Sequence, residues 1–359
     1  MGGYFACFVV VLYIYTYVYV SKRKCLNSLN EQSSFNKDYT LPIRGLCALF
    51  VVTGHLENFL NSSSLGTINW LHFFHWSTPA VSVFFFLSGY GLSKKLARIP
   101  IQNFKWISPS LKKIGISLLI FCFIYVVMYL ILDKESCIAL MERAFFNGTI
   151  EILPHSWYMY VLLLLYCFFW LCYKKINGKK ALIALCMCIL AYSYLIYIFK
   201  DNLPFGLWTK AIWSFPLGIW VCNNEYRIKE YVKKHFNVVY ITIPCFIALL
   251  TAVAFFNKER FSELEFFIQY IILLNLVGFF VYIVCIYIKS NNNIFTKVLS
   301  YIGTISMEVY LAQGIFQKGL LYFLDNKYIY LILNYFLIII FAAFMHKLLI
   351  KIGLFKSSK

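Results

Sequence analysis

Apolar runs long enough to cross a bilayer recur along the whole 359-residue chain, with short polar connectors between them. A hydrocarbon core about 30 Å thick asks for about 17–25 such residues per helix. On that measure candidate spans fall at 4–20, 41–60, 71–92, 114–132, 156–173, 181–199, 203–222, 237–256, 266–288, 301–320 and 328–346, about eleven in all. Backbone amides in lipid find no water, so each span is expected to be helical. The pattern predicts an all-α, polytopic integral membrane bundle. Residues 1–24 read as an N-terminal transmembrane anchor, 41–347 as one membrane domain and 348–359 as a basic tail. The longest connectors lie at 21–40, 93–113, 133–155 and 289–300. Connector 133–155 is expected to hold a short amphipathic helix that acts as a lid.

Composition supports this reading. Hydrophobic residues make up 61% of the chain and charged residues only 13%, with mean hydropathy +0.72. Soluble domains run at roughly 25% charged. The net charge of +18 could indicate nucleic acid, but its placement argues otherwise. With "SKRK" (21–24) on the inner side, "SKKLAR", "KWISPSLKK", "KKINGKK", "YRIKEYVKKH" and "KIGLFKSSK" also fall inside. The resulting bias of roughly three to one follows the positive-inside rule. Topology accounts for the charge, and no nucleic acid partner is expected. The N-terminus is then outside and the C-terminus cytoplasmic. The first apolar run precedes its basic cluster, the reverse of a signal peptide. Of the twelve Cys, only Cys137 lies clearly in an outer loop, so no disulfide framework is expected.

Ionisable groups inside spans are costly and are functional candidates by default. "LPIRGLCALFVVTGHLENF" (41–59) carries Arg44 and His55. Eleven residues at 100° each make about three turns plus 20°, so both side chains share one face with a rise of about 16 Å between them. The plain alternative has Arg44 snorkelling to inner phosphates and His55 packing between helices. Glu57 lies about 200° around the helix from His55 and cannot orient that imidazole from the same face. Glu308, in "ISMEVYLAQ", is a second carboxylate in an apolar run, placed to pair with an inner basic residue or to line a cavity. In "VSVFFFLSGYGLSKK", Ser88, Gly89 and Gly91 close an aromatic run, and close helix packing is the favoured reading. Trp157 and Tyr158, in "HSWYMY", suit an interfacial belt, with His155 either a site residue or, more simply, a loop histidine. His72 and His75 are spaced to share a metal, but no carboxylate or Cys accompanies them at ligand spacing, so no metal is expected.

Together these segments resemble the acyltransferase 3 family of bacterial inner-membrane acyltransferases. The resemblance is carried by "IRGLCALFVVTGH" (Arg, ten residues, His), "FFFLSGYGL", "HSWYMY" and "IGTISMEVYLAQ", and covers about residues 41 to 347. Two departures stand out. Gln313 occupies the place of the family's late His, which removes a base there. The family's Arg-x-x-Arg element after its second helix is absent, and "NFKWISPSLKK" offers Lys105, Lys112 and Lys113 instead.

The resemblance implies ten family helices behind the N-terminal anchor. It also implies transfer of an acyl group, typically acetyl from acetyl-CoA or another acyl-CoA as co-substrate, with no permanently bound cofactor. The expected acceptor is a hydroxyl of a cell-envelope or exported polysaccharide, or of its lipid-linked precursor. His55 is then the base and Arg44 the grip on coenzyme A phosphates. Ser88, Gly89, Tyr90, Trp157, Lys105, Lys112, Lys113 and Glu308 are further donor- or substrate-binding candidates. Direct transfer and an acyl-histidine or acyl-serine intermediate both remain open. The competing reading is a transporter or flippase of glycan intermediates, which predicts charges spread along a path through many helices. Oligomeric state leaves no trace in the sequence.

Overall fold

The computed structural model describes residues 37–74, 76–132, 156–199, 205–256, 263–287 and 294–353. The expected N-terminal anchor, the loop 133–155 with its lid and His155, His75, and the end of the basic tail lie outside these residues. Among the described residues twelve helices of ten residues or more follow one another. They are α1 (Lys37–Ser62), α2 (Ser77–Arg98), α3 (Ser108–Leu132), α4 (Trp157–Lys175), α5 (Gly178–Ile198), α6 (Ser214–Asn223), α7 (Glu225–Lys234), α8 (Phe236–Phe256), α9 (Glu263–Tyr287), α10 (Ile294–Thr304), α11 (Ser306–Gly319) and α12 (Lys327–Lys351).

Among the described residues six segments are long and apolar enough to cross a membrane: Thr40–Ser62, Ser108–Ile131, Trp157–Lys175, Gly178–Ile198, Phe267–Val284 and Lys327–Lys351. They coincide with six of the expected spans. Three others differ from expectation for local reasons. The run 71–92 begins as a 3-10 turn, Asn69–Phe74, and its helix starts only at Ser77. Pro79, in the first turn, suits a helix start. The helix then continues to Arg98, so "SKKLAR" is helical and not a connector. The run 203–222 is divided into a short helix, Phe205–Lys210, a 3-10 turn, Ala211–Trp213, and α6. Pro216 cannot donate to residue 212 and its ring crowds that carbonyl, which ends α-helical bonding there. The run 301–320 breaks at Ile305, which leaves helical dihedrals with φ −98° and ψ 13°. At the other end, α12 runs to Lys351, past the expected domain limit at 347.

The chain forms two compact units. Of the described residues, one contains those up to Gly54, those of Asn69–Arg98 and those of Lys210–Thr304; the other contains those of His55–Ile68, those of Ile99–Thr209 and those from Ile305 onward. The boundary falls within α1.

In the first unit, two reciprocal glycine contacts set the closest helix approaches. A Cβ on Gly89 would meet the carbonyl of Phe215, and one on Gly218 would meet the carbonyl of Phe86. Thus α2 and α6 touch backbone to backbone. Gly45 faces the carbonyl of Leu299 and Gly303 faces that of Leu41, which joins α1 to α10 in the same way. Small residues at such crossings let lipid-embedded helices gain dispersion contacts where no hydrophobic drive exists. In the second unit aromatic hydroxyls tie the helices. Tyr125 on α3 donates to the carbonyl of Leu311 at 3.2 Å, and Tyr330 on α12 donates to that of Gln317 at 2.7 Å. Tyr158 on α4 meets Tyr310 edge-on, with centroids 5.4 Å apart.

Candidate active site

The helix α1 carries Arg44 and His55, and its burial pattern shows which way they face. Arg44, Ala48, Val51 and His55 lie within about 60° of one another around the helix at 100° per residue. The two residues between the ends of that stripe are almost fully enclosed, Ala48 at 3% exposure and Val51 at 1%. The stripe therefore faces protein and not lipid. Arg44 and His55 are half-buried. Nε of Arg44 is shielded from solvent and has no hydrogen-bond partner among the described residues. A guanidinium held this way keeps donors for a ligand's oxygens. Glu57 is buried at 3% exposure, on a different side of the same helix.

The "LSGYGL" segment lies on α2. Ser88 is half-buried and Gly89 is buried in the backbone contact with Phe215. Gly91 is exposed and meets nothing within 4 Å, so only the first of the two glycines is a packing residue. Tyr90 is drawn into an ionic cluster. Its hydroxyl donates to Oε2 of Glu225 at 2.9 Å, and Nζ of Lys94 reaches the same oxygen at 2.8 Å. Lys229 holds Oε1 at 2.6 Å, while Ser93 donates to Oδ1 of Asn223 at 2.8 Å. These bonds fasten the end of α2 to the start of α7, a structural task for Tyr90. Burial alone would push the Glu225 carboxyl up. The hydrogen bonds from Lys229 and Lys94, the charge on Lys229 and the Tyr90 hydroxyl outweigh it and leave the group below its ordinary range.

In the second unit, Lys105, Lys112 and Lys113 are exposed along the segment that enters α3. That segment is held by aromatic contacts. Trp106 donates Nε1 to the carbonyl of Ile99 at 2.8 Å and stacks on Phe169 at 6.0 Å. Phe104 meets Trp170 edge-on at 5.3 Å. Trp157 begins α4 and is half-buried.

Glu308, in the first turn of α11, is 1% exposed. Its partner is His346 on α12, with Nδ1 2.7 Å from Oε1. The sequence offered Glu308 either an inner basic partner or a place lining a cavity, and did not name this histidine. An imidazole inside the last apolar run was the available signal. Gln313 and Gln317, one turn apart on α11, are both fully buried, as is Asn334 on α12. Gln317 and Asn334 were also missed. Polar amides repeating at i, i+4 within an apolar run were the signal for the pair on α11.

Helices of bilayer length, with a guanidinium and an imidazole on one inward stripe, define a polytopic membrane protein with reactive groups in its interior. A family model for the acyltransferase domain matches residues 43–346, and the chain belongs to the acyltransferase 3 family. It is a membrane acyltransferase. The match begins one residue before Arg44 and ends on His346, so both α1 and the Glu308–His346 pair lie inside it. No curated protein and no solved structure matches the chain.

Proposed function

We propose that this acyltransferase moves an acyl group, in the first instance acetyl, from acyl-CoA to a hydroxyl of a cell-envelope or exported polysaccharide or its lipid-linked precursor. It acts in the bacterial inner membrane, with its C-terminus cytoplasmic. The observation that carries this reading is the enclosed stripe on α1, with Arg44 at one end and His55 at the other. The rise of about 16 Å between them suits a donor gripped at its phosphates and reacting some distance away. The inner basic bias supports a position for Arg44 at the cytoplasmic mouth, where coenzyme A is supplied. The same charge bias supports a cytoplasmic position for Lys105, Lys112 and Lys113.

In the reaction the acceptor oxygen attacks the thioester carbonyl carbon and forms the new ester bond. His55 takes the hydroxyl proton as general base. The C–S bond breaks, and the proton passes from the imidazolium to the departing thiolate, giving free coenzyme A. The N–H groups around Gly89 lie within α2 and bond to carbonyls of that helix, so they are not donors to the developing oxyanion. Purified protein in lipid nanodiscs, supplied with labelled acetyl-CoA and cell-envelope glycan, tests the scheme. The wild type should label the glycan and His55→Ala should not. Full labelling by a well-folded His55→Ala variant would overturn the assignment of the base.

A further inference from the structure

The second unit encloses amide groups that its own side chains do not satisfy. Oε1 and Nε2 of both Gln313 and Gln317 are shielded from solvent and have no hydrogen-bond partner among the described residues. Asn334 donates Nδ2 to the carbonyl of Tyr330 at 2.9 Å, but its Oδ1 is in the same position as the glutamine atoms. All three side chains are 0% exposed.

They also lie together. The contacts Glu308–His346 and Tyr330–Gln317 show that α11 and α12 run antiparallel. Asn334 is one turn along α12 from Tyr330, and Gln313 is one turn back along α11 from Gln317. The two residues therefore stand level across the same helix pair. Buried polar atoms are nearly always paired, and an amide in an apolar interior is costly when left alone. Five such atoms on three adjacent side chains leave hydrogen-bonding capacity for a polar guest.

We propose that Gln313, Gln317 and Asn334 form a subsite for uncharged hydroxyl groups, namely those of the sugar acceptor. Each glutamine amide both donates and accepts, as a hydroxyl does. The three side chains carry no charge, whereas a phosphate would call for Arg or Lys. The subsite lies towards the end of the pair where Lys318 sits over the Tyr129 ring at 4.0 Å and Lys327 holds the carbonyl of Thr67 at 2.9 Å. The charge-based orientation makes that end the outer one, where an exported glycan is met. The choice of a sugar rests on the function proposed above. Gln313 thus stands as an acceptor-binding residue.

The test uses the full chain in lipid nanodiscs and saturation-transfer NMR. The probes are a panel of uncharged methyl glycosides (glucoside, galactoside, mannoside and N-acetylglucosaminide) and, separately, coenzyme A. At least one glycoside should bind the wild type. Gln313→Met with Gln317→Met should weaken that binding about tenfold or more, as loss of two or more hydrogen bonds implies. Coenzyme A affinity should be unchanged, and the variant should melt at a higher temperature because orphan amides are gone. Asn334→Leu gives an independent second variant if the double substitution does not fold.

No binding of any glycoside to the wild type overturns the proposal. So does unchanged glycoside binding in the folded variants, which would mean the amides hold water only. Loss of coenzyme A affinity in its place also overturns it, since the amides would then serve the donor's own amide links. A wild type that binds a glycoside through these residues but never coenzyme A would support the subsite and refute the acyl-CoA donor, so the two readings fail separately.

Discussion

Nδ1 of His346 lies 2.7 Å from Oε1 of Glu308, across the antiparallel pair α11 and α12. Glu308 is 1% exposed, so its carboxyl depends on this one imidazole more than on solvent. Removing one partner of a buried pair is far more damaging than the pair's net worth, at about 3–5 kcal/mol. His346→Ala should therefore lower the melting temperature sharply in detergent or nanodiscs. Adding Glu308→Leu to it should recover much of the loss, because no carboxyl is then stranded. A double variant no more stable than His346→Ala alone would show that the pair is not coupled.

The glycine contacts between α2 and α6 predict a sharp positional contrast. A methyl at Gly89 or Gly218 would be driven into a carbonyl of the facing helix. Overpacking of this kind costs about 1–3 kcal/mol even where neighbours can give, and backbone gives less. Gly89→Ala and Gly218→Ala should each lower yield and melting temperature. Gly91→Ala, with nothing within 4 Å, should behave as wild type. Equal effects at Gly89 and Gly91 would remove the close approach as the explanation.

The contrast at Gly89 and Gly91 also shows what the sequence could convey. A run of apolar residues reports where a helix can cross lipid, and six spans were legible that way. The shared face of Arg44 and His55 was legible too, since it follows from helical spacing alone. Whether that face points inward was not. That answer came from Ala48 and Val51, whose small apolar side chains would suit lipid equally well. Partners distant in sequence were beyond reach: Glu225 lies 135 residues from Tyr90, and His346 lies 38 from Glu308. Hydropathy windows also cannot see backbone breaks inside an apolar run, such as those at Trp213 and Ile305.

The cluster around Glu225 should make this end of the first unit sensitive to acid. Its carboxyl is held below the ordinary value in the folded protein, chiefly because the bonds from Lys229 and Lys94 overcome the effect of burial. A depressed folded pKa contributes stability that is fully present above the unfolded value and is lost as pH falls through the folded one. The melting temperature should therefore be flat near neutrality and fall on acidification through the carboxylate range. Glu225→Gln should be less stable near neutrality and should show a smaller fall. An identical acid profile in both proteins would exclude Glu225 as a contributor.

The proposed grip on coenzyme A predicts how substitutions at Arg44 should divide. A guanidinium presents a planar fork of donors that an ammonium cannot copy, and its Nε here has no partner among the described residues. If Arg44 binds donor phosphates, Arg44→Ala should raise KM for acetyl-CoA by about 10- to 100-fold, the equivalent of one or more charge-assisted hydrogen bonds. Arg44→Lys should restore the charge but recover only part of the affinity. The kcat at saturating donor should change less than KM, because the phosphates lie remote from the reacting carbon. His55 variants should show the opposite split, with kcat lost and donor binding retained. Donor KM is the quantity to measure, in nanodiscs across the Arg44 series. An unchanged KM in Arg44→Ala would mean that the inward arginine serves packing, and that the cationic grip lies with Lys105, Lys112 and Lys113.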